Sequence, residues 1–318
     1  MINLSVLMSI YNEPLSFIKE SVDSILAQTY KNFEFVIIVD NPLRKDEISS
    51  FFNTNYQDER ICLFYNSSNI GLALSMNRAA ILSKGIIFAR MDADDIAEHN
   101  RFEEELPYIE SGEYDFVFSR YSYMDEDSVF LKRQEQIFYD NDGLGKRISL
   151  NPSIVHHPTV MFTREIFEKV GGYRNFPCSQ DADLWLRLSE SRCRFIMLEQ
   201  KLLRYRINSN SISVKKWLQQ QLTIFYIMEL SLKRIKCGTD DFSESGYQKY
   251  LVDKGLQKPR VQRNMERSEK QLMVANSYGN KGYIFIRFFI KLHVFFTSKL
   301  RRHNYLVIMN KKHLLNRN

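Results

Sequence analysis

Four short, mainly apolar runs, Leu4–Ser9, Phe35–Val39, Ile61–Tyr65 and Ile86–Met91, constrain the fold of this chain more than any other feature. Helical patterns separate them. Over Leu15–Ala27, Phe17, Ile18, Val22, Ile25 and Leu26 recur at helical spacing, and Leu72–Leu82 reads as a second helix opened by Gly71. Strands that are apolar on both faces and alternate with helices predict an α/β fold, with a mostly parallel sheet covered on both sides. Tyr114–Ser119 is a candidate fifth strand. Ligands of such sheets collect at the carboxyl ends of the strands. Asp40 and Asp92 each close a run, so both are expected at that crevice.

The sharpest motif is Arg90-Met91-Asp92-Ala93-Asp94-Asp95. Carboxylates two apart at a strand end suit Mg²⁺ or Mn²⁺, hard cations that are commonly shared with substrate phosphates. A diphosphate leaving group needs that neutralisation as its bond breaks. In Ser9-Ile10-Tyr11-Asn12-Glu13-Pro14, Tyr11 can stack on a base, although Pro14 equally suits the first turn of a helix. In Asp181-Ala182-Asp183-Leu184-Trp185-Leu186-Arg187, a carboxylate can serve as general base. The same stretch also reads as an N-cap aspartate with Asp183 and Arg187 paired one turn apart. His156-His157-Pro158 lacks a third ligand at zinc spacing. It reads as a substrate-bonding or a structural histidine.

In this order, the segments resemble glycosyltransferase family 2, the inverting family with the GT-A (Rossmann-like) fold. The resemblance covers about residues 3–212. It is carried by Ser5–Asn12, Ser24–Tyr30, Asn69–Ala73 with Asn77, Ala89–Asp95, His157–Met161, Lys169–Tyr173 and Gln180–Arg187. It implies a GT-A catalytic domain over 1–214, with a nucleotide-sugar half to about 120 and an acceptor half over 121–214. By that resemblance Ser9, Tyr11, Glu13, Asp40, Asn77 and Asp92 would hold the nucleotide sugar. Asp94, with Asp92, would bind Mn²⁺ or Mg²⁺. Asp181 would be the catalytic base, and His157, Asp183 and Trp185 would meet acceptor or donor sugar. The implied reaction moves a sugar from a UDP-linked donor to a saccharide acceptor, lipid-linked, in O-antigen, capsule or exopolysaccharide assembly. Direct attack would give a β-linkage from an α-linked donor.

Three positions depart from the family pattern. Asp40-Asn41-Pro42 stands where two acids and a glycine are frequent. Gln180 replaces an acid before the base. Asn208, in Tyr205-Arg206-Ile207-Asn208, replaces a histidine, which would leave the metal more dependent on Asp94.

Charge divides the 318-residue chain. From Lys215 onward, 21 Lys and Arg face seven Asp and Glu, whereas residues 1–214 carry 23 against 31. The basic stretch, a helical extension over 215–318, holds Tyr283–Phe296 (YIFIRFFIKLHVFF), where Arg287 and Lys291 share one helical face amid aromatics. That pattern suits a helix lying at an anionic membrane interface or packed on protein; no recognition motif suggests nucleic acid. No segment reaches the roughly 20 apolar residues of a spanning helix, and the N-terminus reads as a first strand rather than a signal peptide. Four scattered cysteines argue against a zinc site or a disulfide framework. The expectation is a cytoplasmic enzyme peripheral to the inner face of the membrane. A nucleotidyltransferase would want a glycine-rich phosphate loop near Met8–Pro14, which is absent. A degenerate sugar-binding protein of the same fold would not need both Asp92-x-Asp94 and Asp181.

Overall fold

The computed structural model describes residues 3–133, 136–207, 216–280 and 284–316. It divides into two compact units, Met1–Ser211 and Ile212–Asn318.

The first unit is built on a mixed nine-stranded sheet flanked by helices. Its strands are β1 (Leu4–Ile10), β2 (Phe33–Val39), β3 (Ile61–Tyr65), β4 (Ile87–Arg90), β5 (Ile96–Ala97), β6 (Phe116–Met124), β7 (Phe130–Leu131), β8 (Val160–Thr163) and β9 (Phe195–Arg206). They run in the order β3-β2-β1-β4-β8-β6-β9-β5, with β7 on β6. The four runs seen in the sequence are the parallel part, β3-β2-β1-β4. Antiparallel β8 then joins β4 to β6, which lies parallel to β9.

Alternation along the strands explains why they are apolar throughout. Leu4, Val6 and Met8 of β1, with Phe35, Ile37 and Val39 of β2, face one core. Into it pack α1 (Leu15–Leu26), α2 (Lys45–Asn55) and α4 (Arg101–Glu110). Leu7, Val36 and Ile38 point the other way, toward α3 (Leu72–Leu82), α5 (Leu144–Leu150), α6 (Arg164–Lys169) and α7 (Gln180–Glu190). Both faces of β1 and β2 are therefore dry, with helices to bury against on either side. Gly85 lets the chain enter β4, because a Cβ there would lie 2.8 Å from the Ser5 backbone nitrogen.

The second unit is helical: α8 (Trp217–Cys237), α9 (Glu244–Lys254), α10 (Pro259–Asn280), α11 (Ile284–Thr297) and α12 (Lys299–Leu315). Helices α9 and α12 both pack on α8, and α10 packs on α11. Thr223 and Tyr247 share a buried hydroxyl contact at 2.7 Å, and Glu229 accepts from Tyr250 at 2.9 Å. No described helix is long and apolar enough to cross a membrane. Of the aromatic segment singled out above, Tyr283 and the side chains of Phe285, Phe289 and Phe296 lie outside the described residues.

Candidate active site

The carboxyl ends of the parallel strands meet in one acidic crevice. The loop after β1 is tied to the one after β2: Arg44 donates to the carbonyls of Tyr11 (3.3 Å) and Glu13 (2.8 Å), and Asn41 donates to Asn12 Oδ1 at 2.7 Å. Glu13 in turn accepts from the Tyr11 N–H at 2.7 Å, which leaves the Tyr11 ring 42% exposed at the rim. Ser9 sits just behind, at the end of β1, and is nearly buried.

Beyond β4, one carboxylate oxygen from each of Asp92, Asp94 and Asp95 lies within 4.8 Å of the others. Arg90, buried at the end of β4, holds Asp92 Oδ1. The Asp92 carbonyl is anchored by Ser21 of α1 at 2.8 Å. From β9, Arg206 donates its N–H to Asp95 Oδ1 (2.8 Å) and its Nε to the Asp94 carbonyl (2.7 Å). Its guanidinium lies 4.2 Å over the Phe17 ring. Crowding and burial set the electrostatics. Burial, then the charges of Asp92 and Glu13, push the Asp94 carboxyl up to about 7. Asp95 is raised well above its ordinary range by burial and then by Asp94. Glu13 is raised by burial, with Asp92 adding to it. Asp95 Oδ2 is buried without a hydrogen-bond partner. A mutually repelling, oxygen-only set with an unsatisfied buried oxygen fits a hard divalent cation.

Asp181 occupies the first turn of α7. Ser179, in the left-handed region at φ 58°, turns the chain into that helix. Burial and then the charge of Asp92 raise the Asp181 carboxyl to about 6, against the pull of the helix-terminal N–H groups of Asp181 and Ala182. Asp181 thus belongs to the same electrostatic neighbourhood as the cluster after β4.

Other residues expected at the substrate are used elsewhere. Asp183 and Trp185 have no solvent exposure, so neither reaches a sugar. Asp183 accepts from Arg187 Nε at 2.8 Å, and Arg187 also donates to the carbonyls of Val170 and Gly172, each at 2.7 Å. Trp185 packs edge-on to Phe116, 4.9 Å between ring centres. The Asn77 amide is consumed by the backbone of Tyr173, donating at 2.8 Å and accepting at 2.9 Å. His157 is buried against the Tyr173 hydroxyl at 2.8 Å, and burial keeps it neutral, well below its usual range. Asp40 is 3% exposed, and its carboxylate accepts from Asn66 (2.7 Å), the Ile70 N–H (2.9 Å) and the Gly71 N–H (2.8 Å). It clamps the loop that enters α3. Asn208 lies outside the described residues.

Asp95, Arg90 and Arg206 complete the cluster although the sequence reading gave them no role. Asp95 was visible as the third acid of its motif, whereas Arg206 is brought in only by the pairing of β5 with β9.

A family model, Glycosyl transferase family 2, matches residues 5–171. An uncharacterised glycosyltransferase of Methanocaldococcus jannaschii is 32% identical over 234 residues, which span 73% of this chain and 80% of that protein. The O-antigen biosynthesis glycosyltransferase WbnJ of Escherichia coli is 28% identical over 73% of this chain and 90% of its own length. Among solved structures, S. aureus TarS residues 1–349, crystallised with UDP-GlcNAc, superposes with a TM-score of 0.62 at 14% identity, covering 98% of this chain and 90% of that one.

Proposed function

The chain belongs to glycosyltransferase family 2, and from that membership we propose that it moves a sugar from a UDP-linked donor to a saccharide acceptor with inversion at the anomeric carbon. One juxtaposition carries the reading: a cluster of three carboxylates suited to a cation shares its electrostatic field with a fourth, Asp181, poised near neutrality on a helix end. Asp94 and Asp92 would hold Mn²⁺ or Mg²⁺, and the chemistry supplied there is neutralisation of the diphosphate leaving group. Arg90 orients Asp92, and Arg206 fixes the backbone of Asp94 and the carboxylate of Asp95. Tyr11, exposed at the rim, offers a face for the base. Asp181 takes the proton from the attacking acceptor hydroxyl; a carboxyl near 6 is ionised at neutral pH yet basic enough to share that proton. Asp40, Asn77 and His157 act one layer back, by holding the loops that shape the crevice.

The likeness to an O-antigen biosynthesis enzyme supports an acceptor in cell-surface polysaccharide assembly; we infer a lipid-linked acceptor, met at a membrane surface, from the basic second unit. No carboxylate side chain follows Glu269, while Arg287, Lys291, Arg302 and Lys312 do. Phe288 and Leu292 of α11 and Tyr305 and Met309 of α12 are exposed, a composition suited to an anionic lipid interface.

Donor hydrolysis across a panel of nucleotide sugars, with Mn²⁺, with Mg²⁺ and with chelator, tests the reading. Turnover of one UDP-sugar only with metal, lost in Asp94→Ala, is expected. Absence of binding to every nucleotide sugar would overturn it.

A further inference from the structure

Strands β4 and β8 pair antiparallel, Ile87 with Thr163, Phe88 with Phe162 and Ala89 with Met161, and there the ladder ends. The next two residues in that register, Arg90 and Val160, are bridged by a side chain instead. Arg101, at the start of α4, donates Nη1 to the Arg90 carbonyl at 3.1 Å and Nη2 to the Val160 carbonyl at 3.2 Å. Its Nε faces both oxygens of Glu105, one helical turn on, at 3.2 and 3.1 Å. Neither side chain of this pair has any solvent exposure.

Stability alone does not account for such a pair. Taking two charges out of water can cost more than their attraction returns, and packed apolar residues of similar volume often serve a fold as well or better. Burial pushes the Glu105 carboxyl up to about 7, against the pull of Arg101. What the pair secures is position. Two residues beyond the Arg90 carbonyl the chain reaches Asp92, whose carboxylate Arg90 itself holds. Immediately before Val160 runs the turn His157–Thr159, where His157 meets the Tyr173 hydroxyl at 2.8 Å. A guanidinium presents its N–H groups in a rigid planar fork, so Arg101 sets the distance at which the two strand ends part.

We propose that Arg101 is a positioning residue for the carboxylate cluster: by bridging the Arg90 and Val160 carbonyls it fixes the backbone that carries Asp92 and Asp94, while Glu105 keeps its guanidinium in line. Arg101 touches no substrate and acts from behind the crevice, where it is fully enclosed. Ligands of a cation need such support, because a loosely held carboxylate loses the geometry that binding requires. The inference rests on the glycosyl-transfer reading, with a divalent cation at Asp92 and Asp94, and names a residue that holds that site in shape.

The test replaces the pair by apolar side chains of similar size, Arg101→Met together with Glu105→Leu, in the full chain. Mn²⁺ affinity is read by electron paramagnetic resonance, UDP affinity by calorimetry with Mn²⁺, and stability by urea denaturation. The double variant is expected to unfold at the parent's urea midpoint or above it. It should nevertheless bind Mn²⁺ about tenfold more weakly, the loss usual when a group supporting metal ligands is removed. Without metal, the amides of residues 91–95 should exchange faster. Arg101→Lys keeps the charge but not the fork; it should bind Mn²⁺ with intermediate affinity, and it decides the matter if the double variant does not fold. Parent-like Mn²⁺ affinity in the folded double variant, or in Arg101→Lys where the double variant does not fold, overturns the assignment. So does a parent that binds UDP but no Mn²⁺. A parent that binds neither strikes the glycosyl-transfer reading itself.

Discussion

Arg187 donates to Asp183 at 2.8 Å across one turn of α7, and both side chains are enclosed. Two residues earlier on the same helix, Asp181 is raised by burial and further by the charge of Asp92. One helix thus carries a structural aspartate and the proposed base, and substitution separates them. Asp183→Ala leaves Arg187 buried without its carboxylate, a loss on the order of 3–5 kcal/mol for a buried pair. Urea denaturation of the first unit should move by that amount, and donor affinity should persist under conditions where the variant remains folded. A drop in turnover with unchanged denaturation would contradict this.

Asp181→Asn should do the reverse. Removing a general base lowers transfer by roughly 10²–10⁴, with donor affinity retained. The pH dependence follows from the raised carboxyl. The ionised base is required, so at saturating Mn²⁺ kcat/KM should fall about tenfold per unit below pH 6 and level off above it. The stability sign is opposite: a carboxyl raised in the fold contributes its stability at low pH and loses it as pH rises through about 6. At pH 7 the asparagine variant should therefore be at least as stable as the parent. A flat rate profile through pH 5 would place the base elsewhere.

The division between these two aspartates was half legible. Helical spacing pairs Asp183 with Arg187 from sequence alone, and strand ends placed Asp92 and Asp94 at the crevice. Apolar runs read well wherever a strand is buried on both faces, as in β1, β2 and β4, because nothing interrupts them. The later half read poorly. Strand β9 exposes Glu199, Gln200 and Lys201 between two buried stretches, and β8 has four residues before a helix begins. Neither holds a period long enough to identify. Asn77, Asp40 and Trp185 have side chains that suit a substrate, and only tertiary partners show that backbone and core already use them.

Asp40 offers a third test. Its carboxylate gathers three donors from the loop before α3, where Gly71 takes φ 86°, a conformation that side chains resist. Asp40→Ala leaves the Ile70 N–H without its acceptor, while Asn66 keeps Ser75 and the Gly71 N–H keeps Asn69, a destabilisation of about 1–3 kcal/mol for the one group left unpaired. Asp40→Asn keeps one acceptor oxygen and should recover part of the loss. Calorimetric UDP affinity should weaken in proportion to loop disorder, seen as faster amide exchange at Ile70 and Gly71. Weaker UDP binding with unchanged exchange would show instead that the carboxylate itself meets the base.

The clustered carboxylates lead to the last prediction, made without any acceptor. Asp94 is buried beside Asp92 and Glu13, and burial first, then their charges, let it hold its proton up to about 7. An ion that binds only the folded cluster stabilises it by mass action, by about 2.7 kcal/mol at a hundredfold excess over Kd. Mn²⁺ should therefore raise the unfolding midpoint, and chelator should reverse the rise. Because Asp94 must shed its proton to ligate, the affinity should decline as pH drops below 7. Asp94→Ala removes a ligand and should abolish the Mn²⁺-dependent shift. It also relieves repulsion, so the metal-free variant should unfold no earlier than the metal-free parent. A persistent shift in Asp94→Ala would locate the ion away from this cluster.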